Sequence, residues 1–270
     1  MLRIVKLPAW LLAACLLTVA ACTSTVSRVD NIATQHGFKA DVVKGKSFRH
    51  RVYANMQNDA TRPLHVYLEG DGIPWWNKTT VSPDPTPRTP LMLNLMALDS
   101  APSVYLGRPC YHGFASDPGC NPLLWTHQRY SPEIIDSLSA VLDNILRTRK
   151  NKQVVLIGYS GGGAIAMLLA TRHPEVEAVV TLAGLIDTSA WTQHHGYSPL
   201  KGSMNPVEHA RLGSSVQQKH YVGEDDQIVP ASLMQPAHAR LKTGGLTRLP
   251  AVDHACCWEK LWPGLLKQLP

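Results

Sequence analysis

Ser160 stands at the centre of Gly158-Tyr159-Ser160-Gly161-Gly162, a Gly-x-Ser-x-Gly pattern that follows the apolar run Val154-Val155-Leu156-Ile157. A small-residue helix over 163–173 comes next, so the segment reads as a strand, a sharp turn and a helix with a serine at the apex. A turn this tight strains the serine backbone, and side chains at Gly158 or Gly162 would collide with the adjoining strand and helix. The chemistry it permits is nucleophilic. The hydroxyl projects from the top of a sheet, and the helix behind it turns free N–H groups and its positive dipole end towards a developing oxyanion. No Gly-Lys-Ser/Thr ending and no second glycine set at dinucleotide spacing accompany the pattern, which argues against a phosphate cradle.

A serine hydroxyl is a poor nucleophile at neutral pH and needs a base, itself oriented by an acid. Behind an elbow of this kind the acid comes next in the chain and the histidine last. Downstream, a short strand at His220–Gly223 leads into Glu224-Asp225-Asp226. A last short strand at Leu246–Leu249 leads into Ala251-Val252-Asp253-His254, ahead of a final helix over 259–268.

Together these residues resemble the α/β-hydrolase superfamily, and the resemblance covers most of the chain beyond residue 21. It implies an α/β fold with a mostly parallel, doubly wound central sheet and helices on both faces. It picks Asp226, three residues after Gly223 and just ahead of Val229-Pro230, as the acid, and His254, in the loop after the last strand, as the base. Asp225 and Asp187, the latter after a strand at Val176–Leu182, remain alternative acids. Carried over by position, the backbone N–H groups of Asp71 and Gly161 form the oxyanion hole. Asp71 lies in Glu69-Gly70-Asp71-Gly72 behind the strand Leu64–Leu68, where the family usually has His-Gly-x. The side chains of Glu69 and Asp71 are expected to brace that loop rather than to move protons. The implied reaction is hydrolysis of an acyl ester through a Ser160-His254-Asp226 triad and an acyl-enzyme. Thioester or amide hydrolysis are alternatives, as is a non-catalytic envelope lipoprotein that uses the fold for binding. No cofactor and no metal are implied, and the partner is a small-molecule or lipid-like acyl substrate.

The N-terminus suggests a location. Arg3 and Lys6 precede an apolar stretch, Leu7–Ala21, of signal-peptide rather than membrane-spanning length. Val19-Ala20-Ala21-Cys22 resembles the lipobox of bacterial lipoproteins, which implies acylation of Cys22; an ordinary signal cleaved after Ala21 is the alternative. Thr23 behind that cysteine implies an outer-membrane, periplasm-facing position in a Gram-negative cell. The expected organisation is a leader over 1–21, a polar tether and strand lead-in over 22–46, and one hydrolase domain over 47–270. Loss of Arg3 and Lys6 with the leader leaves 24 basic against 20 acidic residues, net +4. So mild a balance, with no basic block, gives no case for nucleic acid.

The other elements must position the site. Phe48–Met56 alternates like an edge strand. Thr79–Pro90, with four prolines, is predicted as an extended surface loop. A helix at 91–98, a strand at 103–107 and an amphipathic helix at 132–149 lead to the elbow. Only about 35 residues separate Ala183 from Lys219, too few for a large lid domain. Trp75, Trp76, Trp125 and Trp191 are candidates for the walls of an open cleft or for the core. Cys110 and Cys120 are a candidate disulfide or two free thiols. Cys256 and Cys257 are free, joined to each other or cross-paired. Adjacent sulfurs without a Cys-x-x-Cys fit a metal site poorly. Nothing in the pattern sets an oligomeric state.

Overall fold

A run such as Val154–Ile157, apolar at every position, suits a strand buried on both faces. In the computed structural model, which describes residues 25–242 and 244–270, it lies in an eight-stranded sheet. The strands are β1 (Lys39–Lys44), β2 (Arg49–Ala54), β3 (Leu64–Leu68), β4 (Ser103–Leu106), β5 (Val154–Tyr159), β6 (Val176–Leu182), β7 (Gln217–Gly223) and β8 (Gly245–Leu249). Their order across the sheet is β1-β2-β4-β3-β5-β6-β7-β8. The two pairings made by β2 are antiparallel, and every pairing from β4 to β8 is parallel.

The helices are α1 (Thr25–Gln35), α2 (Leu91–Ala97), α3 (Pro132–Arg149), α4 (Gly161–Ala170), α5 (Thr188–His195), α6 (Pro206–His209), α7 (Ala231–Leu241) and α8 (Trp258–Leu266). Val154 and Leu156 point into one core with α3, α4 and α7, while Val155 and Ile157 point into the other with α1, α2 and α8. This alternation is the period-2 geometry of a strand sandwiched between helical layers. α3 starts as its sequence dictates: Ser131 caps it by accepting from the Ile134 N–H, and Pro132 occupies the first turn. Among the described residues no helix is long and apolar enough to cross a membrane.

Strand register sets where the chemistry can be. Leu68 pairs with Gly158, Tyr159 with Leu182, and Gly223 with Leu249. The loops that follow β3, β5, β7 and β8 therefore leave the same carboxyl edge of the sheet, the edge at which open α/β sheets bind ligands.

Three expectations need correcting. Residues 25–44, read as tether and lead-in, are part of the folded domain: α1 packs Val29 and Ala33, both buried, against the sheet. Burial of Val29 alone contributes roughly 1.5–3 kcal/mol, reason enough for the segment to dock. In consequence β1 occupies the sheet edge and β2 lies inside it. The loop over 79–90 is not wholly superficial, since Ser82, Pro85, Thr86 and Pro87 are buried. Its Pro85 carbonyl accepts from the Ile73 N–H at 2.9 Å, which fastens it to the loop after β3. The lipobox, Cys22 and the leader lie outside the described residues.

Three buried histidines give the fold a pH dependence. Burial pushes His50 and His220 down to about 4 and His112 down to about 3, so all three are neutral in the folded protein at pH 7. Their folded values lie below the ordinary 6.5, so from 6.5 downward the unfolded chain binds more protons and stability is lost as pH falls. Glu69, which burial raises to about 7, opposes this over the same range, one group against three. His173, which burial also lowers, adds to the uptake, so unfolding near pH 5.5 is expected to take up at least about two protons net. Calorimetry in buffers of different ionisation enthalpy, with the melting temperature falling from pH 6.5 to 4, checks this; a flat profile with no uptake would contradict it.

Candidate active site

Between β5 and α4 the chain turns at Ser160, whose φ of 51° and ψ of −122° are strained for a residue with a side chain. The surroundings enforce this conformation. The Ser160 N–H donates to the Leu182 carbonyl at 2.9 Å, and the Ser160 carbonyl accepts from the N–H groups of Gly163 and Leu185, each at 2.9 Å. A Cβ on Gly158 would lie 2.2 Å from the Gly162 carbonyl oxygen, and one on Gly162 would lie 2.1 Å from that of Leu68. Both neighbours are backbone, so only glycine fits either position without moving the turn.

His254 arrives from the loop after β8, and Asp226 from the turn after β7. His254 Nε2 is 3.0 Å from Ser160 Oγ, and His254 Nδ1 is 2.8 Å from Asp226 Oδ2. The second oxygen of Asp226 accepts from the N–H groups of Ile228 and Val229, each at 2.8 Å. Burial alone would raise the Asp226 carboxyl, but His254 and these two amides outweigh it and hold the group below the usual carboxylate range. An ionised carboxylate only accepts, so Nδ1 carries the proton and Nε2 is left free to accept from the serine hydroxyl.

The alternative acids lie elsewhere. Asp225 is exposed, and Asp187 caps α5 through the Ala190 N–H while binding Asn205 and Arg240. Two residues that the sequence reading missed fix the histidine. The His254 carbonyl accepts from the Tyr159 hydroxyl at 2.9 Å and from Trp258 Nε1 at 3.0 Å, and the Tyr159 ring centroid is 5.1 Å from that of His254. Tyr159 is the second residue of the Gly-x-Ser-x-Gly pattern, but no spacing rule tells what its hydroxyl reaches.

The loop after β3 is braced from behind. Glu69 accepts from the N–H groups of Gly70 and Met92 at 3.1 and 3.0 Å. Burial raises its carboxyl to about 7, with those two amides and Arg108 pulling only part of the way back. The Asp71 oxygens lie 2.7 Å from Arg108 Nη2 and 2.6 Å from Arg129 Nη1, and the Tyr130 hydroxyl donates to them at 2.7 and 2.8 Å. Burial would raise Asp71 too, but the two guanidiniums outweigh it and keep the group ionised below its ordinary value. These two arginines and Tyr130 also escaped the sequence reading. Asp71 N–H makes no hydrogen bond to protein among the described residues, and Gly161 opens α4, where the first amides have no intrahelical acceptor.

Ser160, His254 and Asp71 line one cavity of about 930 Å³, walled by Trp75, Trp191, Tyr197 and Ile228. Of the other candidate tryptophans, Trp76 is exposed and does not line it, while Trp125 is core and donates through Nε1 to the Ser82 carbonyl. His127 and His195 line its wall, His194 neighbours His195 on α5, and His112 is buried outside it. Cys110 is bonded to Cys120, and Cys256 to Cys257, the latter pair between His254 and α8. Among the described residues no three His, Cys, Asp or Glu side chains gather as a metal site would require.

Comparison with known proteins agrees with this architecture. A family model described as the alpha/beta hydrolase fold matches residues 104–208. The chain thus has the alpha/beta hydrolase fold. Among similar solved structures, Est1E from Butyrivibrio proteoclasticus is 14% identical with a TM-score of 0.58, over 85% of this chain and 96% of that one. A Pyrococcus furiosus esterase is 13% identical with a TM-score of 0.58, over 87% and 90%. A Xanthomonas campestris protein, described as an α/β serine hydrolase without a lid, is 14% identical with a TM-score of 0.54, over 86% and 95%. No curated protein matches the chain.

Proposed function

We propose that the protein is a serine hydrolase that cleaves acyl esters. The observation that carries this is the unbroken hydrogen-bond relay from Asp226 through His254 to Ser160 Oγ, opening on a cavity large enough for a small acyl compound. Ser160 attacks the acyl carbonyl while His254 Nε2 takes its proton and Asp226 stabilises the resulting imidazolium. The N–H groups of Asp71 and Gly161 hold the tetrahedral oxyanion, each worth roughly 3 kcal/mol if it behaves like other such donors. His254 returns the proton to the leaving group, and water then repeats the sequence on the acyl-enzyme. The short segment between β6 and β7 brings only α5 and the loop after it to the cavity wall, which favours soluble esters over aggregated lipid. A panel of p-nitrophenyl esters, acyl thioesters and anilides tests the reading: esters should give the highest kcat/KM. A faster thioester or anilide reassigns the bond cleaved, and turnover of none favours a binding role for the fold.

The same proposal includes a lipid anchor at Cys22 and a periplasm-facing position on the outer membrane, supported by Val19-Ala20-Ala21-Cys22 and Thr23. In a Gram-negative host the wild type is expected to take up labelled palmitate and to fractionate with outer membranes. Cys22→Ser should lose the label. A label retained by Cys22→Ser, or a wild type soluble in the periplasm without lipid, would contradict the anchor.

A further inference from the structure

Behind the site the charges do not balance. Asp71 carries one negative charge between Arg108 and Arg129, which are 4% and 6% exposed. Burial would lower both guanidiniums, but the Asp71 carboxylate outweighs it and keeps them charged, so the cluster carries a net positive charge. Glu69 beside it, raised to about 7, offers at most part of a compensating charge. Buried charge without a counter-ion is costly and marks a place where a ligand can supply the missing one.

Arg129 is the member of the cluster that reaches the cavity. It lines the space shared by Ser160 and His254, and Arg108 does not. Its Nε donates to the Thr126 carbonyl and its Nη1 to Asp71. Among the described residues its Nη2 makes no hydrogen bond to protein, whereas Nε and Nη2 of Arg108 are sealed from solvent. Lys78 and Arg88 add two exposed cations to the lining, and among the described residues neither forms an ion pair or a hydrogen bond. The acidic side chains of the lining are Glu69 and Asp71, both already engaged with protein groups. The apolar share of a ligand faces Trp75, Trp191 and Tyr197 instead.

We infer that this cavity selects acyl esters bearing an anionic group, a carboxylate or a phosphate, which is bound by Arg129 and drawn in by Lys78 and Arg88. This rests on the serine hydrolase reading and names its substrate class. Because the Asp71 bound by Arg129 also supplies a proposed oxyanion donor, the anionic group lies a short tether from the scissile carbonyl.

The test compares kcat/KM for p-nitrophenyl valerate, mono-p-nitrophenyl glutarate and p-nitrophenyl phosphonobutyrate, of similar length and differing in end group. At low salt the anionic esters should exceed valerate by about tenfold or more, as a charge-assisted arginine contact warrants. The ratio should shrink in about 0.5 M salt, where exposed cations are screened. Preference for glutarate or for the phosphonate decides between carboxylate and phosphate. Arg129→Gln should bring the ratio near unity, with Arg129→Lys in between. Since Arg129 also braces Asp71, Lys78→Gln with Arg88→Gln provides a second arm, expected to lower the ratio by about threefold, as rim charges do. A wild type that cleaves valerate as fast as the anionic esters, or a ratio untouched by both sets of variants, overturns the inference alone. If no ester is cleaved and Ser160 resists active-site probes, the hydrolase reading falls and this inference with it.

Discussion

Ser160→Ala should remove nearly all ester turnover, and His254→Ala should do the same. Each loss is expected to be on the order of 10⁶-fold in kcat, with the double variant scarcely worse than either single one. The reason is the geometry of the relay: at 3.0 Å the serine and the imidazole act on one proton, so removing either member leaves the other without a task. What survives is binding and the oxyanion amides, neither of which depends on the Ser160 hydroxyl. The fold should tolerate the change, since the Ser160 conformation is held by backbone bonds to Leu182, Gly163 and Leu185 rather than by its side chain. Steady-state kinetics on p-nitrophenyl esters, with thermal melting as a control, makes the measurement. A folded Ser160→Ala variant that keeps most of its activity, or strictly additive losses, would remove Ser160 from the chemistry.

Asp226→Asn should cut kcat by about 10³ to 10⁴ while leaving the protein folded. The asparagine oxygen can still accept from the Ile228 and Val229 amides, so the turn keeps its shape. Its amide nitrogen, however, then faces His254 Nδ1 and donates to it. That forces the proton onto Nε2, which would point a donor at Ser160 where an acceptor is required. Asp225→Asn and Asp187→Asn should be mild in comparison, since the first is exposed and the second only caps α5 and binds Asn205 and Arg240. If Asp187→Asn were the damaging change and Asp226→Asn the mild one, the acid would belong to the loop after β6.

The parts of this site that were legible in the sequence are those fixed by local backbone demands. An apolar run ending in Gly-x-Ser-x-Gly allows few outcomes other than a strand, a strained turn and a helix, and chain order then narrows the acid and the histidine. What brings Arg108 and Arg129 to Asp71 is tertiary: they lie 37 and 58 residues further along, and arginine is a type seldom buried unless paired. The adjacent Trp75 and Trp76 illustrate a second limit. One lines the cavity and the other is exposed, and a loop without a period gives no rule for which is which. α1, by contrast, carried a signal that its polar composition masked: Val26, Val29 and Ile32-Ala33 recur at helical spacing, and Asp30 accepts from the Tyr53 hydroxyl at 2.6 Å on β2.

The central claim is that Ser160 is an activated nucleophile, and the most direct measurement is covalent labelling of the soluble domain by a fluorophosphonate, with the modified peptide identified by mass spectrometry. One adduct per chain on Ser160 is predicted, absent from Ser160→Ala and strongly slowed in His254→Ala. No adduct on the folded wild type, or an adduct that persists in Ser160→Ala, would contradict it.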